Sequence, residues 1–270
     1  MTRRNIIIYQ PAIKNAYDEK QLIKKKITDA IINKKFIILY QLKVNYCTKK
    51  VTGIEALLRL RKNDSDFFNT EMVIEVAKEY NLMGYIDRFL IKKVMEDYSR
   101  IVKVYPEVSI SINLTVKEME QNYHIGLLSK YAEKYKFPLY KLYIELTQEE
   151  EIIKLKLIED VLLSFRKLKI KLSMDDFGSK YNSFYRLTKI KYDEIKIDKS
   201  ITDQYDKFTG ILNCLSTAFI NAGYEVVIEG VENAYQLRGL PCSEKLSIQG
   251  YIYSRPTNLK KLEEEKFKYI

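Results

Sequence analysis

The chain has 270 residues, of which 46% are hydrophobic and 30% charged, and its formal net charge is +10. This length and composition indicate a globular protein with one large core and exclude a disordered chain. The longest apolar runs, such as FIILY at 36–40, are far shorter than the roughly 20 residues needed to span a bilayer. No small-residue cleavage site follows the short apolar run in MTRRNIIIYQP, so we expect a cytoplasmic protein without membrane insertion.

The lysines behind the positive charge are scattered in small groups, such as KKK at 24–26 and KK at 92–93. Neither an interleaved aromatic platform nor a helix-turn-helix pattern accompanies them, which disfavours a polynucleotide as the partner. The charge is still compatible with a small ligand that carries phosphate groups.

Cysteine and histidine do not form the patterns of the usual transition-metal sites. Cys47, Cys214 and Cys242 are odd in number and widely spaced, which predicts neither a disulfide framework nor a cysteine-based zinc site. The one histidine, His124, lies in the polar stretch QNYH and is expected at the surface. Any metal must therefore be held by oxygen ligands, which favours magnesium, manganese or calcium.

Apolar segments of strand length alternate with helical patterns along the chain. The predicted strands are 36–42, 53–60, 108–114, 142–146, 169–174, 194–197, 224–229 and 247–253. A helical period is found at 69–83, 86–100, 116–135 and 149–168. This alternation indicates an α/β fold with a mostly parallel sheet, and eight strands predict a (β/α)₈ barrel. Because no linker divides the chain, we predict one domain at 16–270, preceded by an extension or linker at 1–15.

Polar side chains interrupt strands that a parallel barrel would fill with apolar residues. They lie in or at the end of seven predicted strands: Glu55, Asn113, Glu145, Asp175 with Asp176, Lys196, Glu229 and Gln249. An unpaired carboxylate in an apolar core costs several kcal/mol or takes up a proton, so these side chains are expected to converge. The C-terminal mouth of a barrel, where active sites lie, is where they can meet.

Taken singly, each of these residues also has an ordinary explanation. The alternatives are an ion pair between Glu55 and Arg59, a strand end satisfied by Asn113, a turn or helix N-cap at Asp175–Asp176, a pair between Lys196 and Asp198, and a helix cap from Glu229 or Glu232. Because polar residues occur in this way in seven predicted strands, we interpret them as parts of one shared site. Several carboxylates in one site favour two Mg²⁺ or Mn²⁺ ions about 3.5–4 Å apart, an arrangement suited to in-line hydrolysis of a phosphate ester.

Seven stretches resemble the EAL-domain family in order and spacing: YQLKVNYCTKKVTGIEALLRL, SISINLT, LYIELTQEE, KLSMDDFGSKYNSFYRL, YDEIKIDKSIT, VVIEGVEN and IQGYIYSRP. These bacterial cyclic di-GMP phosphodiesterases are named for the Glu-Ala-Leu found here at 55–57. The resemblance extends from about residue 20 to the end. It implies a modified TIM barrel with an antiparallel first strand, and hydrolysis of cyclic di-GMP to linear pGpG. It also implies a homodimer and an upstream sensor domain or partner protein.

The resemblance further implies a role for each position. One divalent metal is assigned to Glu55, Asn113, Glu145 and Asp175, and a second to Asp175 and Asp176 with Glu229 nearby. Lys196 is implied to orient the attacking water, and Glu229 to bind metal or act as a base. Substrate contacts are implied for Gln41, Glu55, Leu57, Arg59 and Gln249, with Arg59 on a phosphate group.

The chain departs from the family pattern mainly at the loop after the aspartates. Lys180 stands where active members usually have glycine, Gln148 replaces a glutamate that tethers this loop, and Leu42 replaces a proline. Lysine costs roughly 1–2 kcal/mol where a positive φ is required, and an amide tether is weaker than a carboxylate. We therefore expect an intact metal and ligand site with slow hydrolysis. Two alternatives stay open, namely a receptor that only binds cyclic di-GMP and, more distantly, a purely structural interaction domain.

Overall fold

A computed structural model of the chain describes residues 11–114, 123–146, 155–179 and 183–264. The chain divides into two compact units, one formed by residues 1–37 and 58–89 and the other by residues 38–57 and 90–270. Every helix in the described part of the chain is too short or too polar to cross a bilayer. The predicted extension at 1–15 and domain at 16–270 stay predictions.

The first unit is built on helices α1 (Pro11–Asn33) and α2 (Thr70–Glu79), and it contains the start of α3 (Met83–Val104). Helix α2 begins where the sequence provides an N-cap, because the Asn69 side chain accepts a hydrogen bond from Met72 N. Its buried face, Val73, Val76 and Ala77, has the spacing of one side of a helix. Lys20 of α1 pairs with Glu75 of α2 at 2.6 Å.

Eight strands in sequence order form a closed barrel, and all of their residues except Ile37, Leu58 and Arg59 belong to the second unit. The strands are β1 (Ile37–Asn45), β2 (Val51–Arg59), β3 (Ser109–Leu114), β4 (Leu142–Leu146), β5 (Lys171–Phe177), β6 (Glu194–Ile197), β7 (Glu225–Glu229) and β8 (Leu246–Gln249). From β2 to β8 the pairing is parallel, whereas β1 pairs with β8 in the antiparallel direction. The predicted barrel with an antiparallel first strand is therefore confirmed.

Helices connect most of the parallel strands. Besides α2 and α3, which lie between β2 and β3, they are α4 (Tyr123–Tyr135), α5 (Leu155–Lys167), α6 (Ser183–Leu187), α7 (Lys199–Thr202) and α8 (Tyr205–Asn221). A last helix, α9 (Leu259–Glu264), follows β8, and short 3₁₀ turns lie at Leu139–Lys141 and Ala234–Leu237. Strand β4 is buried at all five positions, and β6 at all four. These two short strands carry Glu145 and Lys196, so both charged side chains lie inside the barrel.

The predicted segments agree closely with the observed strands, since 142–146 and 194–197 match in full. The last strand ends at Gln249 rather than at 253, because a turn follows at 250–253. The helix predicted at 69–83 ends at Glu79. Parts of two further predicted helices, 116–122 and 149–154, lie outside the described residues.

Two expectations about cysteine and histidine are wrong. Cys47 and Cys242 form a disulfide, with their Cα atoms 5.0 Å apart, although 195 residues separate them in the chain. The antiparallel pairing of β1 with β8 brings the turn after β1 beside the segment before β8, which spacing alone does not reveal. His124 is fully buried and its ring stacks on Tyr123 at 4.2 Å, because it lies on the inward face of α4.

Candidate active site

The two adjacent aspartates at the end of β5 both face one pocket because the strand is irregular there. In regular strands, neighbouring side chains point to opposite faces. Between Met174 and Phe177 the pairing of β5 with β6 shifts register, and Asp176 has a φ of 55°. Aspartate tolerates this left-handed conformation better than most residues. As a result, carboxylate oxygens of Asp175, Asp176 and Glu229 lie within 4.8 Å of one another.

Lys196 occupies the centre of the site. Its ammonium nitrogen Nζ lies 2.9 Å from oxygens of Glu145, Asp175 and Glu229, and 3.3 Å from Glu55 Oε2. These four carboxylates come from four strands, and the lysine side chain is 1% exposed. The alternative that Lys196 pairs with Asp198 is wrong, since Asp198 caps α7 through Ser200 N at 2.9 Å. We call Glu55, Glu145, Asp175, Asp176 and Glu229 the carboxylate cluster.

Asn113 connects two members of the carboxylate cluster. Its Nδ2 donates to Glu55 Oε1 at 3.1 Å and to Glu145 Oε2 at 3.2 Å. The register explains this position, because Asn113 lies directly beside Glu145 in the pairing of β3 with β4. The predicted ligands Glu55, Asn113, Glu145 and Asp175 are thus brought together, and their role toward a metal stays a prediction.

Two glutamines, Gln41 and Gln249, lie beside Glu55 of the carboxylate cluster. Gln249 Nε2 donates to Glu55 Oε2 and to Gln41 Oε1, the latter at 3.2 Å. Gln41 in turn donates to the carbonyl of Ser254 at 3.1 Å. Leu57 is half-buried and lies two residues beyond Glu55, on the same face of β2. Gln41, Glu55 and Gln249 therefore form one connected group beside the carboxylate cluster.

Arg59 belongs to the first unit, unlike the rest of the predicted substrate contacts. Its guanidinium donates to the carbonyl of Leu58 at 2.8 Å and to Thr70 Oγ1 at 3.2 Å. The contact of Arg59 with a substrate phosphate stays a prediction.

The site contains more carboxylates than ammonium groups, and the pKa values of three of its carboxyl groups are shifted. Burial, followed by the charge of Glu145, raises the pKa of Glu55 to about 7. Burial also raises the pKa of Glu229 well above its usual range, against the attraction of Lys196. Burial acts on Glu145 in the same direction, but the ammonium groups of Lys196 and Lys43 outweigh it and lower its pKa to about 2. Burial therefore favours the protonated forms of Glu55 and Glu229, whereas the two ammonium groups favour the ionised form of Glu145.

These residues fit a divalent cation in donor type and in charge. Carboxylate and amide oxygens are the ligands that Mg²⁺ and Mn²⁺ prefer, and the five carboxylates of the cluster outnumber the two ammonium groups, Lys196 and Lys43, that contact them. In the described part of the chain, the buried Oε1 atom of Gln249 has no hydrogen-bond partner, which leaves an acceptor inside the site. The acidic cluster is thus a candidate divalent-metal site.

A second buried ion group lies deeper in the barrel, and the sequence reading missed it. Lys43 Nζ lies 2.8 Å from Ser111 Oγ, 2.8 Å from Glu194 Oε1 and 3.1 Å from Glu145 Oε1. Ser173 Oγ also donates to Glu194 Oε1 at 2.8 Å. We call Lys43, Ser111, Ser173 and Glu194 the Lys43 network. A signal was present, because Lys43 interrupts the apolar strand IILYQLKV two residues after Gln41, and Glu194 opens the buried strand EIKI.

Two departures from the family pattern concern the loop after β5. Lys180 and Gln148 both lie outside the described residues. The preceding glycine of the loop, Gly178, has a φ of +96°, and a Cβ there would lie 2.3 Å from Ile201 Cδ1. Both features require glycine at 178, which the chain retains.

Comparisons with known proteins agree on one family. The sequence model of the EAL domain matches residues 24–256. The signaling protein YkoW of Bacillus subtilis is 31% identical over 235 residues, which cover 85% of this chain and 29% of that protein. The cyclic di-GMP phosphodiesterase PA2567 of Pseudomonas aeruginosa is 26% identical over 263 residues, which cover 95% of this chain and 44% of that protein. The chain thus spans less than half the length of these curated relatives.

A solved structure of similar sequence has the same fold. The EAL domain protein from Listeria monocytogenes superposes with a TM-score of 0.75 at 27% identity. The match covers 90% of this chain and 96% of that one.

Proposed function

The chain belongs to the EAL domain family, and from this premise we propose that it hydrolyses cyclic di-GMP to linear pGpG in a metal-dependent reaction. One relative is named a cyclic di-GMP phosphodiesterase. The observation that carries the proposal is the convergence of four carboxylates from four strands on Lys196 Nζ. Such a group is costly in a barrel core unless cations occupy the site during function.

The chemistry requires one water molecule to attack one phosphodiester bond. A new bond forms between phosphorus and the water oxygen, and the bond to one ribose oxygen breaks, which opens the ring. Glu229, whose pKa is raised, accepts the proton of the attacking water or serves as a metal ligand. Lys196, whose buried ammonium group lies 2.9 Å from Glu229 Oε1, would orient this water.

Two Mg²⁺ or Mn²⁺ ions would neutralise charge on the phosphate and lower the pKa of the bound water. The ligands for the first would be Glu55, Asn113, Glu145 and Asp175. Asp175 and Asp176, with Glu229 nearby, would hold the second. Gln41, Leu57, Arg59 and Gln249 would contact the dinucleotide, with Arg59 on a phosphate group.

The test is incubation of the purified protein with cyclic di-GMP and Mn²⁺ or Mg²⁺, followed by chromatography of the products. We expect pGpG to form with metal and to disappear with EDTA. A protein that binds cyclic di-GMP by calorimetry, yet forms no pGpG with either metal, would be a receptor instead. A protein that does neither would contradict the site as assigned.

Further partners follow from the resemblance. We propose a homodimer, control by an upstream sensor segment or partner protein, and a cytoplasmic location. Size-exclusion chromatography with light scattering tests the dimer, and a mass of 32.0 kDa would show a monomer.

A further inference from the structure

The side chain of Lys43 extends through the interior of the barrel toward the carboxylate cluster, from the end where the parallel strands begin. Its side chain is 3% exposed, and its three hydrogen-bonding partners, Ser111, Glu145 and Glu194, are all buried. In the proposed mechanism this lysine has no role. A cavity of about 240 Å³ at the end of the barrel where the parallel strands begin is lined in part by Lys43 and Glu194. Lys43 therefore lies between this cavity and Glu145.

The two oxygens of Glu145 have different partners. Oε1 contacts Lys43 Nζ at 3.1 Å. Oε2 accepts hydrogen bonds from Lys196 Nζ at 2.9 Å and from Asn113 Nδ2 at 3.2 Å, both on the side of the carboxylate cluster. We infer that Lys43 is a positioning residue for Glu145, which it holds by Oε1 so that only Oε2 is presented to a metal. This inference rests on the proposed function.

The surroundings of Lys43 favour a fixed rather than an adjustable contact. Glu194 Oε1 and Ser111 Oγ each lie 2.8 Å from the ammonium group, so they hold it from two further directions. Glu145 is fully buried. Loss of the cation would leave Glu145 Oε1 without its charged partner and the Glu145 side chain free to rotate. Groups that orient metal ligands in this way typically change metal affinity or activity by about 10–100-fold when removed.

The experiment compares charge-neutral double variants by their affinity for Mn²⁺, measured by calorimetry on EDTA-treated protein. Lys43→Met with Glu194→Gln removes the cation and its deeper partner together, which leaves the net charge unchanged. The matched control is Lys171→Met with Glu225→Gln, because that pair lies at the same end of the barrel, 2.9 Å apart, and does not touch Glu145. Glu194→Gln alone keeps the cation and separates the effect of Glu194 from that of Lys43.

We expect the Lys43→Met double variant to bind Mn²⁺ about 10–100-fold more weakly. Its kcat should fall, while the KM for cyclic di-GMP changes less than about threefold, because Lys43 does not touch the dinucleotide site. The Lys171 control should stay within about threefold of the wild type in all three quantities, and Glu194→Gln alone should lose less Mn²⁺ affinity than the Lys43→Met double variant. Circular dichroism and thermal unfolding establish that each variant is folded.

The results that would overturn the inference about Lys43 differ from those that would overturn the proposed function. A folded Lys43→Met double variant with wild-type Mn²⁺ affinity and kcat overturns the inference alone. If that variant does not fold, Lys43→Gln with Glu194→Gln, which keeps a neutral donor, takes its place. Failure of both to fold while the Lys171 control folds also overturns the inference, since Lys43 would then be a folding element. A wild-type protein that binds no Mn²⁺ overturns the proposed function and this inference with it.

Discussion

The two ends of the barrel interior carry similar residues but different charge balances. In the carboxylate cluster, four of the five acidic side chains contact the ammonium group of Lys196, and Asp176 lies beside Asp175 and Glu229. Where the parallel strands begin, Glu194 lies beside Lys43 and Glu225 beside Lys171, so each of these two lysines has a carboxylate partner. Glu145 joins the two ends, because its two oxygens contact Lys43 and Lys196.

This difference shows that the balance between buried carboxylates and buried lysines indicates whether a group of charges binds a ligand. In a buried pair of one lysine and one glutamate, the two charges neutralise each other, so the pair needs no bound ligand to be stable in the core. An excess of carboxylates favours the uptake of protons or cations, and the pKa values of Glu55 and Glu229 are raised by burial in the direction of proton uptake. The unbalanced end is therefore the one expected to bind a metal.

The largest expected effect comes from neutralising one acid in the unbalanced end. Glu55→Gln keeps the shape of the side chain but removes a charge that contacts Lys196 and Gln249. We expect metal-dependent formation of pGpG to fall by at least about 100-fold. Glu225→Gln, the same change at the balanced end, should stay within about threefold. Equal losses in both variants would contradict the division between the two ends.

The pH dependence of metal binding gives the next largest effect. In the metal-free protein, burial and then the charge of Glu145 raise the pKa of Glu55 to about 7. Below this pH a metal must displace a proton from Glu55, so affinity for Mn²⁺ should fall as pH falls, by up to about tenfold per unit. Glu145 stays ionised across this range, since its pKa is lowered to about 2.

Calorimetry between pH 6 and 8, in two buffers of different ionisation enthalpy, measures both the affinity and the protons released. More protons should be released near pH 6 than near pH 8, because Glu55 carries a proton only at the lower pH. An affinity that does not change with pH would show that Glu55 is already ionised in the metal-free protein.

A smaller effect is expected from the loop after β5. Lys180→Gly together with Gln148→Glu restores the residues that active family members usually have at these positions. A charge-assisted tether is worth about 1 kcal/mol more than a neutral one, or roughly fivefold in rate. Steady-state kinetics of pGpG formation measures this change, with each single variant as the control. An unchanged kcat in the double variant would show that the loop does not limit hydrolysis.

The smallest effect on hydrolysis is expected at the disulfide. Cys47→Ser removes the link to Cys242 and leaves both ends of the barrel interior untouched. Because this link closes a loop with a sequence separation of 195 residues, its loss should lower the free energy of unfolding by about 2–5 kcal/mol. Denaturant unfolding measures the stability, and Cys214→Ser is the matched control, since Cys214 is a free cysteine. A loss of kcat with stability unchanged would contradict this expectation.

Much of the fold was predictable because its signals are local. Strands such as LYIEL at 142–146 and EIKI at 194–197 are short apolar runs, and their alternation with helical segments identifies a barrel. The polar residues that converge were predictable too, since Glu145 and Lys196 stand out in strands that are otherwise buried. The departure of Asp175 and Asp176 from strand alternation was not, because it depends on a bulge against β6.

By itself, the sequence determined the strand order, the family and the set of polar side chains that enter the barrel, because each is carried by residues close together in the chain. The tertiary structure decided which charges share a partner. Lys43 and Glu194 are 151 residues apart, and Cys47 and Cys242 are 195 residues apart, so only closure of the barrel brings them into contact. Electrostatic interactions depend on distance and burial, and neither quantity is defined until the strands are paired.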